Sequence, residues 1–183
     1  MTLYILRHAS AGTRRANPAI DLKRPLDKDG KQLCLLLGQA LTALKISFDV
    51  VLSSPLKRAV QTASLVGTET GYEQRIVLSE ALAPEADYAA FEQLIATCAH
   101  EDNVLIVGHN PNLPLFLGRF LTGGARTGKP AAIRMRKGSI AKVSTDRAIG
   151  QSGPTLQWLM EPRMVRALYA TSTKSSRRKI SRK

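Results

Sequence analysis

The stretch that decides the fold is Met1-Thr-Leu-Tyr-Ile-Leu-Arg-His-Ala-Ser10, at the start of the chain. Its apolar run from Leu3 to Leu6 is long enough for one buried parallel strand. Arg7 and His8 follow where that strand should end, and open parallel sheets place their ligands just beyond the carboxyl ends of their strands. An arginine beside a histidine there indicates an anion site with a nucleophile, although the dipeptide alone is more often an ordinary surface feature.

Two later segments repeat the pattern of a buried strand that ends at a basic residue. The first, Val50-Val-Leu-Ser-Ser-Pro-Leu-Lys-Arg58, predicts a strand running into a helix, with Ser54 as N-cap and Pro55 at the first helical position. Arg58 would then lie in the first helical turn, near free backbone N–H groups that favour an anion. The second, Val104-Leu-Ile-Val-Gly-His109, predicts a strand that delivers a histidine. The carboxyl ends of three strands are thus followed by two guanidinium groups and two imidazoles, which we expect to lie at one edge of the sheet.

The rest of the chain alternates helical and extended patterns. We predict helices over 26–45, 54–67, 87–98 and 111–121, and strands over 48–52, 75–78, 139–144 and 155–160. Residues 10–24 are predicted to be irregular. The last two strands should be antiparallel neighbours, because residues 145–154 are too few for a helical crossover. This alternation predicts one layered α/β domain with a largely parallel sheet.

Composition places the chain among single-domain globular proteins. Its 183 residues are 44% hydrophobic, which is enough for one substantial core. Cys34 and Cys98 lie in apolar, helix-like segments, which fits reduced core residues of a cytoplasmic protein. No run approaches the roughly 18 apolar residues of a membrane span, and Arg7-His8 interrupts the initial apolar run. Three histidines without close histidine or cysteine spacing suggest no metal site.

The formal net charge is +13, and the positive charge is unevenly distributed. Residues 174–183 carry six positive charges and no acidic residue, which predicts a solvated, disordered basic tail over 172–183. Such a tail could also attract nucleic acid or an acidic partner through long-range electrostatics. The tail has no interleaved aromatic residues, which favours a solvated, disordered tail over a binding segment.

Three motifs, "LRHA" near the N-terminus, "SSPLKRAVQTA" near position 60 and "VGHNP" near position 110, occur in this order. With them the chain resembles the histidine phosphatase superfamily. Its short length and the segment "DLKRPLDKDGK" resemble the small bacterial phosphohistidine phosphatases, the SixA-like branch. The resemblance implies a three-layer α/β/α sandwich with a mostly parallel central sheet, phosphoglycerate mutase-like, and a catalytic domain over 1–171. Ala9 stands where the superfamily often carries glycine, so a small residue is kept beside the nucleophile.

The residues suit phosphoryl transfer through a covalent phosphohistidine on His8. A neutral ring nitrogen would attack phosphorus, while the other donates its proton to a backbone carbonyl. Arg7 and Arg58 would neutralise the charge on the equatorial phosphoryl oxygens. His109 is expected to donate a hydrogen bond to the phosphoryl group and, if positively charged, to lower the pKa of His8. No metal or other cofactor is then required.

Three further residues are candidates for binding substrate. The resemblance puts Arg24, in the "RPL" segment, near the active site, and Ser10 is a candidate phosphate contact. Many superfamily members protonate the leaving group with a carboxylic acid after the third strand, where Glu80 is the nearest candidate and Glu85 the second. A phosphoimidazole can arrive already protonated on its ring, whereas an alkoxide is a poor leaving group without a general acid.

We therefore expect a phosphatase that acts on phosphohistidine in a protein. The chain has no room for long insertions that would roof a small-molecule pocket. One alternative is hydrolysis of a small phosphorylated metabolite. Another is a non-catalytic regulatory domain that binds phosphate or a polyanion. In every case phosphate or sulfate is the expected occupant of the pocket.

Overall fold

The computed structural model of the protein describes residues 1–123, 129–145 and 153–170. The strands are β1 (Thr2–Arg7), β2 (Val50–Ser53), β3 (Val77–Leu78), β4 (Asn103–Gly108), β5 (Ile140–Ser144) and β6 (Thr155–Met160). The helices are α1 (Pro18–Leu22), α2 (Lys28–Ala43), α3 (Lys57–Glu69), α4 (Tyr88–Thr97) and α5 (Asn112–Leu121), with a 3₁₀ turn at Glu80–Leu82. Residues 162–170 form a further helix, α6. The predicted tail, 172–183, lies outside the described residues.

The six strands form one sheet in the order β3-β2-β4-β1-β5-β6. Strands β3, β2, β4 and β1 are parallel to one another, whereas β5 pairs antiparallel with β1 and with β6. The central strands β1 and β4 are continuous apolar runs because both of their faces are covered. The prediction of a mostly parallel sheet with an antiparallel final pair is therefore confirmed.

Helices cover the two faces of the sheet and give the three predicted layers. Successive residues of β1 point to opposite faces, so Tyr4 and Leu6 join one core and Leu3 and Ile5 the other. The first core includes residues of α2, α3 and α6: Leu33, Leu37, Leu41, Ala63, Val66 and Val165. The second includes residues of α4 and α5: Phe91, Ile95, Leu113, Phe116 and Leu117. The predicted α/β/α sandwich is confirmed.

Two local predictions are wrong. Helix α3 begins at Lys57, after Leu56, and it has no side-chain cap, so Ser54 is not its N-cap. The Ser54 hydroxyl instead lies 2.8 Å from His109, which draws it towards the strand ends. Residues 10–24 are not wholly irregular, because Asn17 caps the short helix α1.

The remaining helix starts and the cysteines agree with the sequence. Asp27 and Asp87 cap α2 and α4, accepting bonds from Gly30 and Ala90. Cys34 and Cys98 are buried and free. Within the described ranges no helix has the length and apolar character to cross a bilayer.

Candidate active site

The register of the sheet brings three strand ends together. Arg7 at the end of β1 pairs with Gly108 at the end of β4, and β2 is the neighbour of β4 on its other side. The residues that leave β1 and β4, His8 and His109, therefore lie side by side, with ring centroids 5.0 Å apart. A sheet edge built in this way is where open α/β folds bind their ligands.

His8 is held as a neutral imidazole with a defined tautomer. Its side chain is buried, and Nδ1 lies 2.7 Å from the carbonyl oxygen of Ala9. Nδ1–H is therefore the donor, and the lone pair is on Nε2. Burial, followed by the positive charges of Arg58, Arg7 and Lys137, lowers the pKa of His8 to about 3. At neutral pH the residue is thus in the state that a nucleophile requires.

Backbone bonds fix the segment that carries His8. The His8 amide donates to the Gly108 carbonyl at 3.0 Å, and the Ala9 amide donates to the hydroxyl of Thr62 at 3.1 Å. Thr62 in turn donates to the carbonyl of Arg58, 2.7 Å away. Thr62 is fully buried, and the sequence analysis missed it. The available signal was its position four residues after Arg58, on the same face of α3.

Gly138 closes the other side of this segment. Its amide lies 3.0 Å from the carbonyl of Arg7 and 3.1 Å from that of His8. Its φ of +81° lies in the region that favours glycine, and a Cβ would meet Leu33. The neighbouring Lys137 was also missed, although its charge contributes to the lowered pKa of His8.

Arg7 and Arg58 each use one terminal nitrogen for a structural contact and leave another donor unused. Arg7 Nη1 donates to the carbonyl of Met135 at 2.8 Å, and Arg58 Nη1 donates to the carbonyl of Asp21 at 3.0 Å. The Nε atoms of both arginines are buried without a partner within the described residues. Buried donors are normally paired, so these two N–H groups are available to a bound anion.

His109 supplies a third unpaired donor. The Leu56 amide donates to the Ser54 hydroxyl oxygen at 3.3 Å. Within the described residues the hydroxyl proton of Ser54 has no acceptor other than His109 Nε2, which lies 2.8 Å away, so Ser54 is the donor to this nitrogen. The ring proton of His109 then belongs on Nδ1, which is buried and has no partner in the described part of the chain. Ser54 was missed as a site residue because its place before a proline suggested a helix cap.

His109 is a neutral imidazole, so it does not lower the pKa of His8 through a positive charge. Burial lowers the pKa of His109 to about 2, with further contributions from His8, Arg58, Arg7 and Arg24. An imidazole with 2% of its surface exposed, surrounded by cationic groups, loses both the solvation and the counter-charge that protonation needs. His109 is a neutral donor.

Arg24 lies at the border of this cluster and is joined to it by Asp21. Arg24 Nε donates to Asp21 Oδ1 at 2.8 Å, and Nη1 donates to the carbonyl of Ala11 at 2.7 Å. The other Asp21 carboxylate oxygen is 3.7 Å from Arg58 Nη1. Hydrogen bonding from Arg24 is the largest cause that lowers the pKa of Asp21 to about 2, so the carboxylate is ionised. Asp21 is the first residue of the segment "DLKRPLDKDGK", but it was not selected as a site residue because it lies in a segment predicted to be irregular.

Ser10 is occupied by a structural contact. Its hydroxyl donates to Asp27 Oδ2 at 2.7 Å, and the same carboxylate accepts from the amides of Gly12 and Gly30. The hydroxyl proton of Ser10 is therefore used to hold the loop after β1 against the start of α2. Ser10 lies next to the cluster without presenting that donor to it.

The two carboxylates of the loop after β3 are exposed, and they differ in their relation to the cluster. Glu80 begins the 3₁₀ turn, and no hydrogen bond or ion pair joins it to the cluster within the described ranges. Burial lowers the pKa of Arg58, and the negative charge of Glu85 is a small contribution that opposes this shift. Asn112 holds this loop, donating to the carbonyls of Pro84 and Ala86 at 2.7 and 2.8 Å.

The structure thus brings together Arg7, His8, Arg58 and His109 and places Arg24 at their edge. The cluster combines a neutral imidazole lone pair with three unpaired N–H donors and an excess of positive charge. Forked guanidinium donors match the oxygens of a tetrahedral oxyanion. The arrangement can bind a phosphoryl group and present a nitrogen nucleophile to it.

Known proteins carry the same combination of fold and motifs. The family model of the histidine phosphatase superfamily (branch 1) matches residues 3–101. The phosphohistidine phosphatase SixA of Escherichia coli (strain K12) is 24% identical over 164 residues, which cover 88% of this chain and 94% of that protein.

Solved structures agree with this match. The protein histidine phosphatase SixA complexed with tungstate is 25% identical, with a TM-score of 0.76, and the match covers 88% of this chain and 97% of that one. The alpha-ribazole phosphatase from Shigella flexneri shares the fold, with a TM-score of 0.67 at 22% identity over 88% of this chain and 97% of that one. Family model, motifs and fold agree: the chain belongs to the histidine phosphatase superfamily, in its SixA-like branch.

Proposed function

We propose that this protein is a phosphatase that hydrolyses phosphohistidine in a protein substrate, through a covalent phosphohistidine on His8. The observation that carries the proposal is the state of His8: a buried neutral imidazole whose Nδ1–H is bound to Ala9, beside the unpaired donors of Arg7, Arg58 and His109. Membership of the superfamily supports phosphatase activity.

In the first step, His8 Nε2 attacks phosphorus and forms a P–N bond, while the P–N bond to the substrate imidazole breaks. The substrate imidazole leaves with the electron pair of that bond, and it leaves as a neutral ring if it was protonated beforehand. Arg7 and Arg58 stabilise the charge on the equatorial oxygens, and one positioned arginine contributes on the order of 10³–10⁵ in related chemistry. The Nδ1–H of His8 continues to donate its hydrogen bond to the Ala9 carbonyl, and this bond stabilises the positively charged ring of phosphorylated His8.

In the second step, water attacks the phosphorus of the phosphorylated His8. The P–N bond to His8 breaks, inorganic phosphate forms, and His8 regains its lone pair on Nε2. The same donors hold the phosphoryl oxygens in both displacements, so no further group is needed for charge stabilisation. Two displacements with a nitrogen nucleophile replace one direct hydrolysis.

The choice of phosphohistidine rests on the lack of a suitable carboxylic acid near the described cluster. Asp21, the carboxylate nearest to Arg58, has a pKa of about 2 and is held by Arg24, so it has no proton to give at neutral pH. Glu80 and Glu85 are exposed. A phosphoimidazole protonated on its ring does not need such a donor, whereas an alkyl phosphate does. The name of the E. coli relative supports the same substrate class.

A small phosphate ester is the second candidate. The observation in its favour is that the charge of Glu85 contributes to the electrostatics of Arg58, which makes Glu85 the loop carboxylate to test as a proton donor to an alkoxide leaving group. The Shigella flexneri neighbour that shares this fold is named alpha-ribazole phosphatase, which is a phosphatase of a small molecule. The third candidate function is a domain that binds phosphate or a polyanion without turnover. It would require that His8 does not attack phosphorus.

The test is an assay of the purified protein against a histidine-phosphorylated protein and a panel of sugar phosphates. We expect turnover of the phosphohistidine protein to exceed that of every sugar phosphate. Glu80→Gln and Glu85→Gln should each change phosphohistidine hydrolysis by less than about threefold. A loss of about 10³-fold in either variant would favour the ester interpretation, and complete inactivity of the wild type on all substrates would favour a binding domain.

A further inference from the structure

The rim of the site includes α1, a helix of five residues without a buried side chain. Ile20 and Leu22 are 57% and 50% exposed, and they flank Asp21 in the chain. Asp21 itself contacts Arg24 and Arg58 through its carboxylate and Arg58 through its carbonyl. Polar contacts from one residue thus tie α1 to the phosphate-binding arginine, while two large apolar side chains face solvent.

Polar contacts hold α1 in place, whereas most helices are held by the burial of apolar side chains. A short helix normally keeps its position by burying an apolar stripe against the core. Here about half of the surface of each apolar residue stays exposed, and the ion pairs of Asp21 connect the helix to the site. Ile20 and Leu22 extend on the two sides of Asp21, because residues two apart in a helix do not share a face. Exposed apolar side chains at the mouth of a site, bordered by charged groups, are typical of an interaction surface.

The charge around α1 indicates what such a surface would bind. Residues 10–24 contain the cations Arg14, Arg15, Lys23 and Arg24 and the single acid Asp21. Arg14 lies close enough to the site for its charge to lower the pKa of Arg58. The charge of Asp21 is directed inward, to Arg24 and Arg58. The outer surface of this segment is therefore basic and complementary to an acidic partner.

We infer that α1 is a docking surface for the protein substrate. Ile20 and Leu22, on the two sides of Asp21, contact apolar side chains beside the phosphohistidine. The exposed cations Arg14, Arg15 and Lys23 meet acidic side chains around them. The inference rests on the proposed function and adds the class of substrate: an acidic protein that carries phosphohistidine. Because Asp21 links α1 to Arg58, a docked protein would deliver its phosphoryl group directly to the phosphate-binding donors.

The test compares two double variants of the full chain. Ile20→Ser/Leu22→Ser removes the apolar pair, and Leu44→Ser/Leu168→Ser is the control, with side chains 55% and 58% exposed. Leu44 follows the end of α2, and the start of that 16-residue helix lies by Ser10, so Leu44 is about 24 Å from the rim. The substrates are free phosphohistidine and two proteins, one acidic and one basic, each phosphorylated on histidine with phosphoramidate.

For Ile20→Ser/Leu22→Ser we expect kcat/KM on the acidic protein to fall at least tenfold, with free phosphohistidine within twofold of the wild type. The control variant should match the wild type on both. For the wild type, kcat/KM on the acidic protein should also exceed that on the basic one and fall more steeply with added salt than for free phosphohistidine.

If kcat/KM of Ile20→Ser/Leu22→Ser fell equally on free phosphohistidine and on the acidic protein, the inference would be overturned. In that case α1 would stabilise the active site and would not bind the protein substrate. No loss on the acidic protein, or an equal loss in the control variant, would overturn it as well. Failure of the wild type to hydrolyse any phosphohistidine substrate would reject the proposed function, and the docking surface with it. The wild-type measurement on free phosphohistidine therefore separates the two failures.

Discussion

The floor and the rim of the candidate site are held in different ways. The floor consists of Arg7, His8, Arg58 and His109, which are positioned by strand ends and by the first turn of α3. The rim consists of residues 10–24 and of the loop 79–86. His8, Arg58 and His109 are buried, whereas most residues of the rim are exposed and depend on the side-chain contacts of Asp21 and Asn112.

This difference separates two tasks. The sheet fixes the floor, so the groups that bind and attack phosphorus are preorganised for any phosphoryl substrate. The rim rests on a few polar contacts, which can vary without disturbing the core. Changes in the floor should therefore reduce turnover of every substrate, and changes in the rim should alter which substrate is preferred.

Arg58→Lys is expected to have a large effect on all substrates. Lysine keeps the positive charge but loses the fork and the buried Nε–H that is free for a phosphoryl oxygen. We expect kcat to fall by about 10³-fold or more. Arg75→Lys, at an exposed arginine, is the matched control and should be neutral. If Arg58→Lys lowered kcat by less than tenfold, the distinction between the floor and the rim would not hold.

Asp21→Asn tests the link between rim and floor. The carboxylate pairs with Arg24 at 2.8 Å and lies 3.7 Å from Arg58. Loss of these charge-assisted contacts should lower kcat/KM about 10- to 100-fold, measured on free phosphohistidine. Asp29→Asn breaks the surface pair with Arg166 and should leave kcat/KM unchanged. If both variants behaved alike, Asp21 would be an ordinary surface charge.

The two floor imidazoles should remain neutral well into the acid range. Burial lowers the pKa of His8 to about 3 and that of His109 to about 2, so neither ring should take up a proton between pH 8 and pH 5. Nitrogen-15 NMR of the ring signals measures this, with the exposed His100 in the same spectra. Saturation with inorganic phosphate should raise both pKa values, because a bound anion favours the charged ring. Titration of either ring near pH 6.5 without phosphate would contradict the description of the floor.

The smallest effect is expected from removal of divalent metals. Arg7, Arg58 and Arg24 supply the positive charge that phosphoryl transfer needs, with Lys137 near His8. Turnover in excess EDTA should therefore match turnover in untreated buffer within error. Loss of activity that returned on addition of a metal would show that these cations are insufficient.

The same difference explains how far the sequence could be interpreted. Apolar runs define β1, β2 and β4, and the residues after parallel strands meet at one edge, so Arg7, His8 and His109 could be placed together. Ser54 could not be assigned, because a serine before proline also fits a helix cap, and its contact with His109 spans 55 positions. The contacts that join Asp21 to Arg58 and Asn112 to the loop 79–86 are long-range, and no local pattern in the sequence reports them. The charge of His109 depends on burial among cations, which sequence spacing does not report.

The central claim is that His8 is the residue that becomes phosphorylated. The most direct measurement is mass spectrometry of the enzyme quenched rapidly in alkali during turnover of free phosphohistidine, with the phosphorylated residue located by fragmentation. We predict phosphate on His8, none on His109, and no phosphoenzyme in His8→Ala, which should still bind inorganic phosphate through Arg7 and Arg58. Phosphate on any other residue, or turnover that persists in His8→Ala, would contradict the account.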